Sequence, residues 1–526
     1  MSQPEKDTGT PSDPEAVGDV GGLGGFYGGY SRKASLFGGK DVYIGPRIGP
    51  VMEHLKGKDG SAPVPTDSKD ESTANVILKS QLEAEDGHAI QYRTCSWQKT
   101  AGLLFSEYIC LAIMSFPWSY SYLGLFPGIL FTVFVAITVQ YTSLVLWKFC
   151  LRHPEVRDVC DIGQMLFWGK SWAWYATAVM FILNNTFIQA LHVLVGAEYL
   201  NTMTDKSSVG GCRTIEFGVV VTVACFLLSL PRTFSVLSKL GTASAAFTFI
   251  SVVLATAFAG AQGKPAGYDP ATLGEPVVSA FPPRSVTFVQ GVSAFLNISY
   301  TFIGQITIPS FIAEMREPKD FPKSLWACTI AEIIIFSIVG GVIYAYTGTQ
   351  YMASPAFGIL DETYKKLSFS FMVPTILFLG SLYASVTSRF IFFRAFKGTV
   401  HINEHTLMGW LGWAAILGLT WIAAFIIANV IPFFSSLLSV MSSLFDCWFG
   451  FIFWGVAYFR MRTADRSVGR KETLIIDAFG MISNVFLIAI GIFFISVGTY
   501  ASVQSIIDSF EAGEVPGVFS CASNGI

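Results

Sequence analysis

The chain has 526 residues, 52% of them apolar and 13% charged, with a mean hydropathy of +0.52. Soluble domains carry about 25% charged residues, so lipid is the solvent for most of this chain. The net charge of -3 implies neither a nucleic-acid partner nor a general attraction to anionic lipid, and nine cysteines without a CxxC pair and six histidines without HExxH spacing give no metal site and no other cofactor to expect.

Met1 to Thr10 is polar and has no apolar h-region, so a cleaved signal peptide is not expected. Residues 1–95 hold a Gly-rich stretch from Gly18 to Gly39, prolines and much charge, without a sustained helical period, and read as a disordered cytosolic tail. Within it, Arg32-Lys33-Ala34-Ser35 fits either a kinase site or a solvated linker.

From Lys99 onward the pattern turns to long uncharged runs near 100–123, 127–147, 172–198, 215–231, 236–260, 286–312, 324–347, 369–390, 406–428, 432–458 and 477–499. Each is close to the ~20 residues a helix needs to cross ~30 Å of hydrocarbon, and unpaired peptide groups cannot stand in lipid. The fourth run is the shortest, lying between Glu216 and Arg232. With the N-terminus in the cytosol, seventeen Lys and Arg fall in the inner loops, among them Arg152, Arg316, Arg389 and Arg470. Six fall outside: Lys206, Arg213, Lys264, Arg284, Lys365 and Lys366. Deleting the fourth run would reverse that bias in every later loop. The expectation is an all-α polytopic protein of eleven transmembrane helices over residues 96–500, with an extracytosolic tail over 501–526. In that topology Cys212 and Cys521 are the only cysteines on the oxidising side, and a disulfide between them is expected.

Two runs carry interruptions. Met114-Ser115-Phe116-Pro117 breaks the first, and Asn297-Ile298-Ser299-Tyr300-Thr301-Phe302-Ile303-Gly304-Gln305 breaks the sixth. Broken helices five spans apart point to an inverted five-plus-five repeat with a site at the membrane midplane. Pro117 suits the first turn of a new half-helix, whose free N–H groups and positive dipole end can face a carboxylate, while unwound carbonyls of the sixth span can receive an ammonium group. Taken singly, Pro117 as a packed kink and Asn297 and Ser299 as helix–helix glue remain equally open.

The run Glu107-Tyr108-Ile109-Cys110-Leu111-Ala112-Ile113-Met114-Ser115-Phe116-Pro117 resembles the first-span signature of the amino acid/auxin permease family, especially its fungal neutral amino acid permeases. Phe311-Ile312-Ala313-Glu314-Met315-Arg316-Glu317-Pro318-Lys319-Asp320-Phe321 is similar to that family's loop after the sixth span. Leu151-Arg152-His153-Pro154 and Leu444-Phe445-Asp446-Cys447-Trp448-Phe449-Gly450-Phe451 are further matches, and the likeness extends over about residues 93–500. The resemblance implies a LeuT-like fold of the amino acid-polyamine-organocation superfamily, one helix beyond the inverted repeat, and uptake of neutral aliphatic or aromatic amino acids driven by protons rather than sodium. One departure is Ala112, where the family's unwound segment usually has Gly; a methyl group narrows the approach of backbone to ligand.

The substrate-binding expectation is Leu111, Ala112, Ile113, Met114, Ser115, Asn185, Asn297, Ser299, Tyr300, Phe302 and Tyr383. Two intramembrane acids, Glu107 and Asp446, are the proton-coupling candidates, because a carboxylate at that depth is costly unless it is neutralised or paired. The alternative for Glu107 is a permanent ion pair with Arg389 that shuts the inner gate. The reading is therefore a plasma-membrane symporter. An organellar exporter and an amino acid-sensing receptor are its rivals, and with no nucleophile–base pair an enzyme is not expected.

Overall fold

A computed structural model of the protein describes residues 38, 42–49, 95–156, 158–204, 212–232, 234–397, 399–402, 404–470, 472–513 and 517–526. Most of the expected tail, including Arg32 to Ser35, lies outside the described residues.

The first run is two helices, α1 (Trp97–Tyr108) and α2 (Phe116–Leu123), joined by a 3₁₀ turn, Leu111–Ser115. Then come α3 (Leu125–Arg152), the short α4 (Val159–Leu166), α5 (Ser171–Thr204), α6 (Arg213–Ser229) and α7 (Phe234–Ala261). The sixth run is again two helices, α8 (Phe288–Phe302) and α9 (Ile308–Glu314). They are followed by α10 (Phe321–Thr347), α11 (Glu362–Ser370), α12 (Val373–Ala395), α13 (Leu407–Val430) and α14 (Phe434–Met441). A π-helical segment, Ser442–Ile452, leads into α15 (Phe453–Ser467), and α16 (Leu474–Phe493) and α17 (Thr499–Glu511) close the order around a second, Phe494–Gly498.

Every one of the eleven apolar runs is helical, but not every one is a full-length span. Among the described residues eight helical stretches are long and apolar enough to cross a membrane, and nine if α1 and the stretch Leu111–Leu123, bent by 45°, count as one. The sixth run is divided into helices of 15 and 7 residues. The fourth, α6, has only 17 residues and ends at Ser229, two residues before Pro231.

Polarity runs inside out, as it must in lipid. On α13, Leu411, Leu419 and Ile422 face outward while Thr420 and Asn429 are buried; on α16, Phe479, Ile482 and Phe486 are exposed and Asn484 is buried. Lipid tails are as apolar as Leu, so burying these apolar side chains gains nothing, and the interior is held by packing and interhelical hydrogen bonds. The Asn297 amide is one such bond set: Nδ2 donates to the Ser435 carbonyl (3.0 Å) and to Ser439 Oγ (2.8 Å), clamping α8 to α14. The long α5 packs against α4, α6, α12 and α13, and α10 packs against α1, α2 and α3. The first broken helix belongs to the second of these groups, and α8 packs against its α2 half.

Two terminal segments dock on the helices. Residues 42–49 lie against the ends of α3 and α15, with Val42, Ile44 and Arg47 buried. Arg47 Nη1 reaches Glu155 Oε2 at 3.1 Å, and Nη2 pairs with Oε1. The Tyr43 hydroxyl donates to Asp465 (3.3 Å), which also accepts from Arg152 (2.9 Å). At the other end Cys521 is disulfide-bonded to Cys212, as expected, and the neighbouring Asn524 accepts from Asn201 of α5 (2.6 Å).

Candidate functional site

A cavity of about 60 Å³ lies where the two helix breaks meet α5 and α12. Its first wall is the α1–turn junction: Glu107, Tyr108, Cys110 and Leu111. After Tyr108 the chain leaves the helix, Cys110 is extended (φ -120°, ψ -174°), and the 3₁₀ turn starts at Leu111. The opening amide of such a turn has no helical carbonyl behind it to accept its hydrogen, so the Leu111 N–H stands at the positive end of the turn and of α2. Pro117 is in the first turn of α2, where its missing N–H costs nothing.

The second wall is the end of α8: Tyr300, Thr301, Ile303, Gly304 and Ile306. The break is later and tighter than the polar run suggested. Helix continues through Asn297 to Phe302, and Asn297, Ser299 and Thr301 donate to carbonyls four residues back within it, those of Ser293, Phe295 and Asn297 (2.9, 3.1 and 3.2 Å). The chain opens only at Ile303, and α9 restarts at Ile308. Carbonyls at the end of α8 form the negative pole facing the cavity. Gly304 is required by packing: a β-carbon there would lie 2.1 Å from the Tyr108 ring.

Glu107 ties the two breaks together. Its Oε1 accepts from the Tyr383 hydroxyl of α12 at 2.6 Å, and its Oε2 accepts from the Thr307 hydroxyl at 2.9 Å. Thr307 Oγ1 is also 2.9 Å from the Gly304 carbonyl, and its single proton can serve only one of the two acceptors at a time. The expected alternative partner, Arg389, donates to the Arg232 carbonyl instead (2.9 Å).

The remaining walls are Asn184, Ile188, Leu191 and His192 of α5, Leu379 and Tyr383 of α12, and Asp446 and Phe449 of the π-helical segment. Asp446 is buried and its Oδ2 has no hydrogen-bond partner among the described residues. The break in helical register that puts it there is of a kind that recurs at functional sites.

Of the residues singled out from sequence, Glu107, Leu111, Tyr300, Tyr383 and Asp446 line the cavity together. Ala112, Ile113, Met114 and Ser115, the rest of the turn, are fully buried and do not line the cavity. Asn185 sits behind Asn184, whose amide reaches its side-chain oxygen at 3.4 Å. Asn297 and Ser299 are bonded within the helices. Phe302 packs edge-on to Phe116 and Phe336, a core cluster and not a wall. His192 and Thr307 were missed. For His192 a signal existed: Asn184, Ile188, Leu191 and His192 recur at helical spacing on one face of α5.

Among the described residues no three His, Cys, Asp or Glu converge on a metal site. What the helices enclose is a small, mostly apolar chamber with a few polar groups, between opposed helix ends in an integral, multi-pass membrane protein. The chain belongs to the family of transmembrane amino acid transporter proteins, whose model matches residues 93–504, and is an amino acid transporter. It is 32% identical over 479 residues to the N amino acid transport system protein of Neurospora crassa, covering 89% of this chain and 98% of that one. Auxin transporter-like protein 1 of Arabidopsis thaliana is 21% identical, covering 73% and 77% of the two chains. A crystal structure of MhsT in complex with L-phenylalanine matches 78% of this chain and all of that one at 10% identity, with a TM-score of 0.47.

Proposed function

We propose that this transporter is a plasma-membrane symporter that couples protons to the uptake of neutral amino acids, and that it crosses the membrane eleven times in a LeuT-like five-plus-five inverted repeat plus one helix. The observation that carries the reading is the cavity between the opening of the turn at Leu111 and the end of α8, with Glu107 bonded to both the α9 side of the break and α12. A zwitterion matches the two poles: its carboxylate goes to the Leu111 end and its ammonium to the carbonyl end of α8, aided by Asp446.

Glu107 supplies the coupling. As a carboxylate it accepts a hydrogen bond from the Thr307 hydroxyl. Once protonated it donates to Thr307 Oγ1, and the Thr307 proton turns to the Gly304 carbonyl, 2.9 Å away. Loading one proton therefore changes the hydrogen bond at the break of the sixth span, which is where the bound substrate and the inner half-helix α9 meet. The bias of seventeen inner against six outer basic residues supports a cytosolic N-terminus. The bond between Cys212 and Cys521 supports an oxidising compartment on the side of the C-terminal tail.

The test is uptake of a panel of amino acids by purified protein in liposomes under imposed pH and sodium gradients. Accumulation of neutral amino acids with an inward proton gradient, and none with sodium alone, is the expected result. Sodium-driven accumulation indifferent to pH would overturn the coupling, and preference for charged amino acids would overturn the substrate class.

A further inference from the structure

The poles of the cavity leave one wall without a task. If the carboxylate is held at Leu111 and the ammonium at the end of α8, the substrate side chain is directed at α5 and α12, where Asn184, Ile188, His192 and Leu379 stand. Ile188 and Leu379 would be matched by any aliphatic side chain, and the Asn184 amide already reaches Asn185 Oδ1 at 3.4 Å. His192 Nε2 has no such partner among the described residues.

His192 Nδ1 lies 2.7 Å from the Ile188 carbonyl one turn back. A carbonyl can only accept, so Nδ1 carries the proton, and the neutral ring presents a lone pair at Nε2. That nitrogen has no partner among the described residues, although the side chain is only 3% exposed. An acceptor left unpaired in a membrane interior is costly, and one in the wall of a ligand chamber is a residue waiting for a donor. The ring cannot turn away without giving up the Ile188 bond, and Gly380 of α12 packs against it: a β-carbon there would lie 3.5 Å from His192 Cγ. The chamber is also small. At ~10–15 Å³ per water-sized site, its volume of about 60 Å³ holds roughly four to six such sites.

We propose that His192 is the specificity-determining residue of this transporter: Nε2 accepts a hydrogen bond from the substrate side chain, so that small neutral amino acids ending in an O–H or N–H donor are preferred over their apolar isosteres. The inference rests on the neutral amino acid reading above and narrows it. It also departs from the aliphatic and aromatic substrates that the family resemblance implies, because an aliphatic side chain would leave the buried lone pair unmatched.

Threonine and valine have nearly the same shape and differ by one donor, so their ratio isolates this contact. The full-length protein in liposomes is assayed for the uptake efficiency, kcat/KM, of each. The wild type is expected to favour threonine about five- to tenfold, the worth of one neutral hydrogen bond. In His192→Leu the ratio falls to about one, and in His192→Gln, which restores an acceptor, the preference for threonine returns. Should His192→Leu not reach the membrane, His192→Phe removes the acceptor with a different shape and carries the same expectation. A wild-type ratio near one overturns the proposal, as does a His192→Leu or His192→Phe protein that still prefers threonine. Transport of neither amino acid by the wild type overturns this inference, whereas the neutral amino acid reading falls only if the panel shows a preference for charged amino acids.

Discussion

Replacing Arg47 by Ala tests whether the docked N-terminal segment is held by charge. Arg47 and Glu155 are 4% and 6% exposed, with both guanidinium ends on the carboxylate and a further contact from Nη1 to the Arg152 carbonyl at 3.4 Å. Removing one partner of a buried pair leaves an uncompensated charge at a cost of about 3–5 kcal/mol. Burying Val42 and Ile44 contributes about 1.5–3 kcal/mol each. The two quantities are of one size, so the segment is expected to leave its seat while the helices stay folded.

The titration of Glu155 gives a second route to the same contact. Burial alone would raise its pKa, but hydrogen bonds from His153 and Arg47 and their charges outweigh it and hold the carboxyl down at about 2, against an ordinary value of 4.5. A group depressed in the folded state contributes stability above its unfolded pKa and loses it as pH falls toward the folded one. Docking should therefore weaken as pH falls from about 4.5 toward about 2, by only the share of that shift that Arg47 supplies, because His153 stays beside Glu155 when the segment leaves. Hydrogen exchange of the amides of residues 42–49 at neutral pH reads the first effect, and cleavage by an acid-active protease reads the second. Slow exchange in Arg47→Ala, equal to that of the wild type, would refute the reasoning.

Two further outcomes follow from the cavity. Glu107→Gln should abolish accumulation driven by a pH gradient yet preserve exchange of labelled for unlabelled substrate, which moves no net proton; a variant that still concentrates substrate at wild-type efficiency would pass the role to Asp446. Gly304→Ala should weaken uptake roughly five- to a hundredfold, the equivalent of about 1–3 kcal/mol of overpacking, since its β-carbon meets the Tyr108 ring at 2.1 Å. Adding Tyr108→Ala should recover part of that loss, and absence of any recovery would count against the steric cause.

The helices were legible because lipid demands long uncharged runs, and the first break because Pro117 marks a new helix start. The second break was misplaced for a definite reason. Asn297, Ser299 and Thr301 look like unwinding residues by composition, yet each closes a bond on the preceding turn of its own helix. A polar run inside a membrane span therefore marks either an opening or a helix that has satisfied its polar groups internally, and only the backbone separates the two. The docked segment at 42–49 was hidden for another reason. Arg47 and Glu155 are separated by 108 positions, and Tyr43 and Asp465 by 422. Composition reads residues 42–49 as solvated, because no local pattern records partners so distant.

Depth alone made Glu107 and Asp446 equivalent as intramembrane acids; their surroundings do not. Glu107 has a hydroxyl on each oxygen, one from the break of the sixth span and one from α12, so a change of its charge must alter bonds to two elements. Asp446 keeps an oxygen without a partner beside the end of α8. An acid that couples a proton to motion needs partners that move, whereas an acid that receives an ammonium group needs an open lone pair. On that criterion the proposed function assigns the two carboxylates different tasks, the proton to Glu107 and the substrate's amino group to Asp446. The division is open to contradiction by the same pair of assays: Asp446→Asn should weaken substrate affinity in exchange as much as in net uptake, while Glu107→Gln should separate the two.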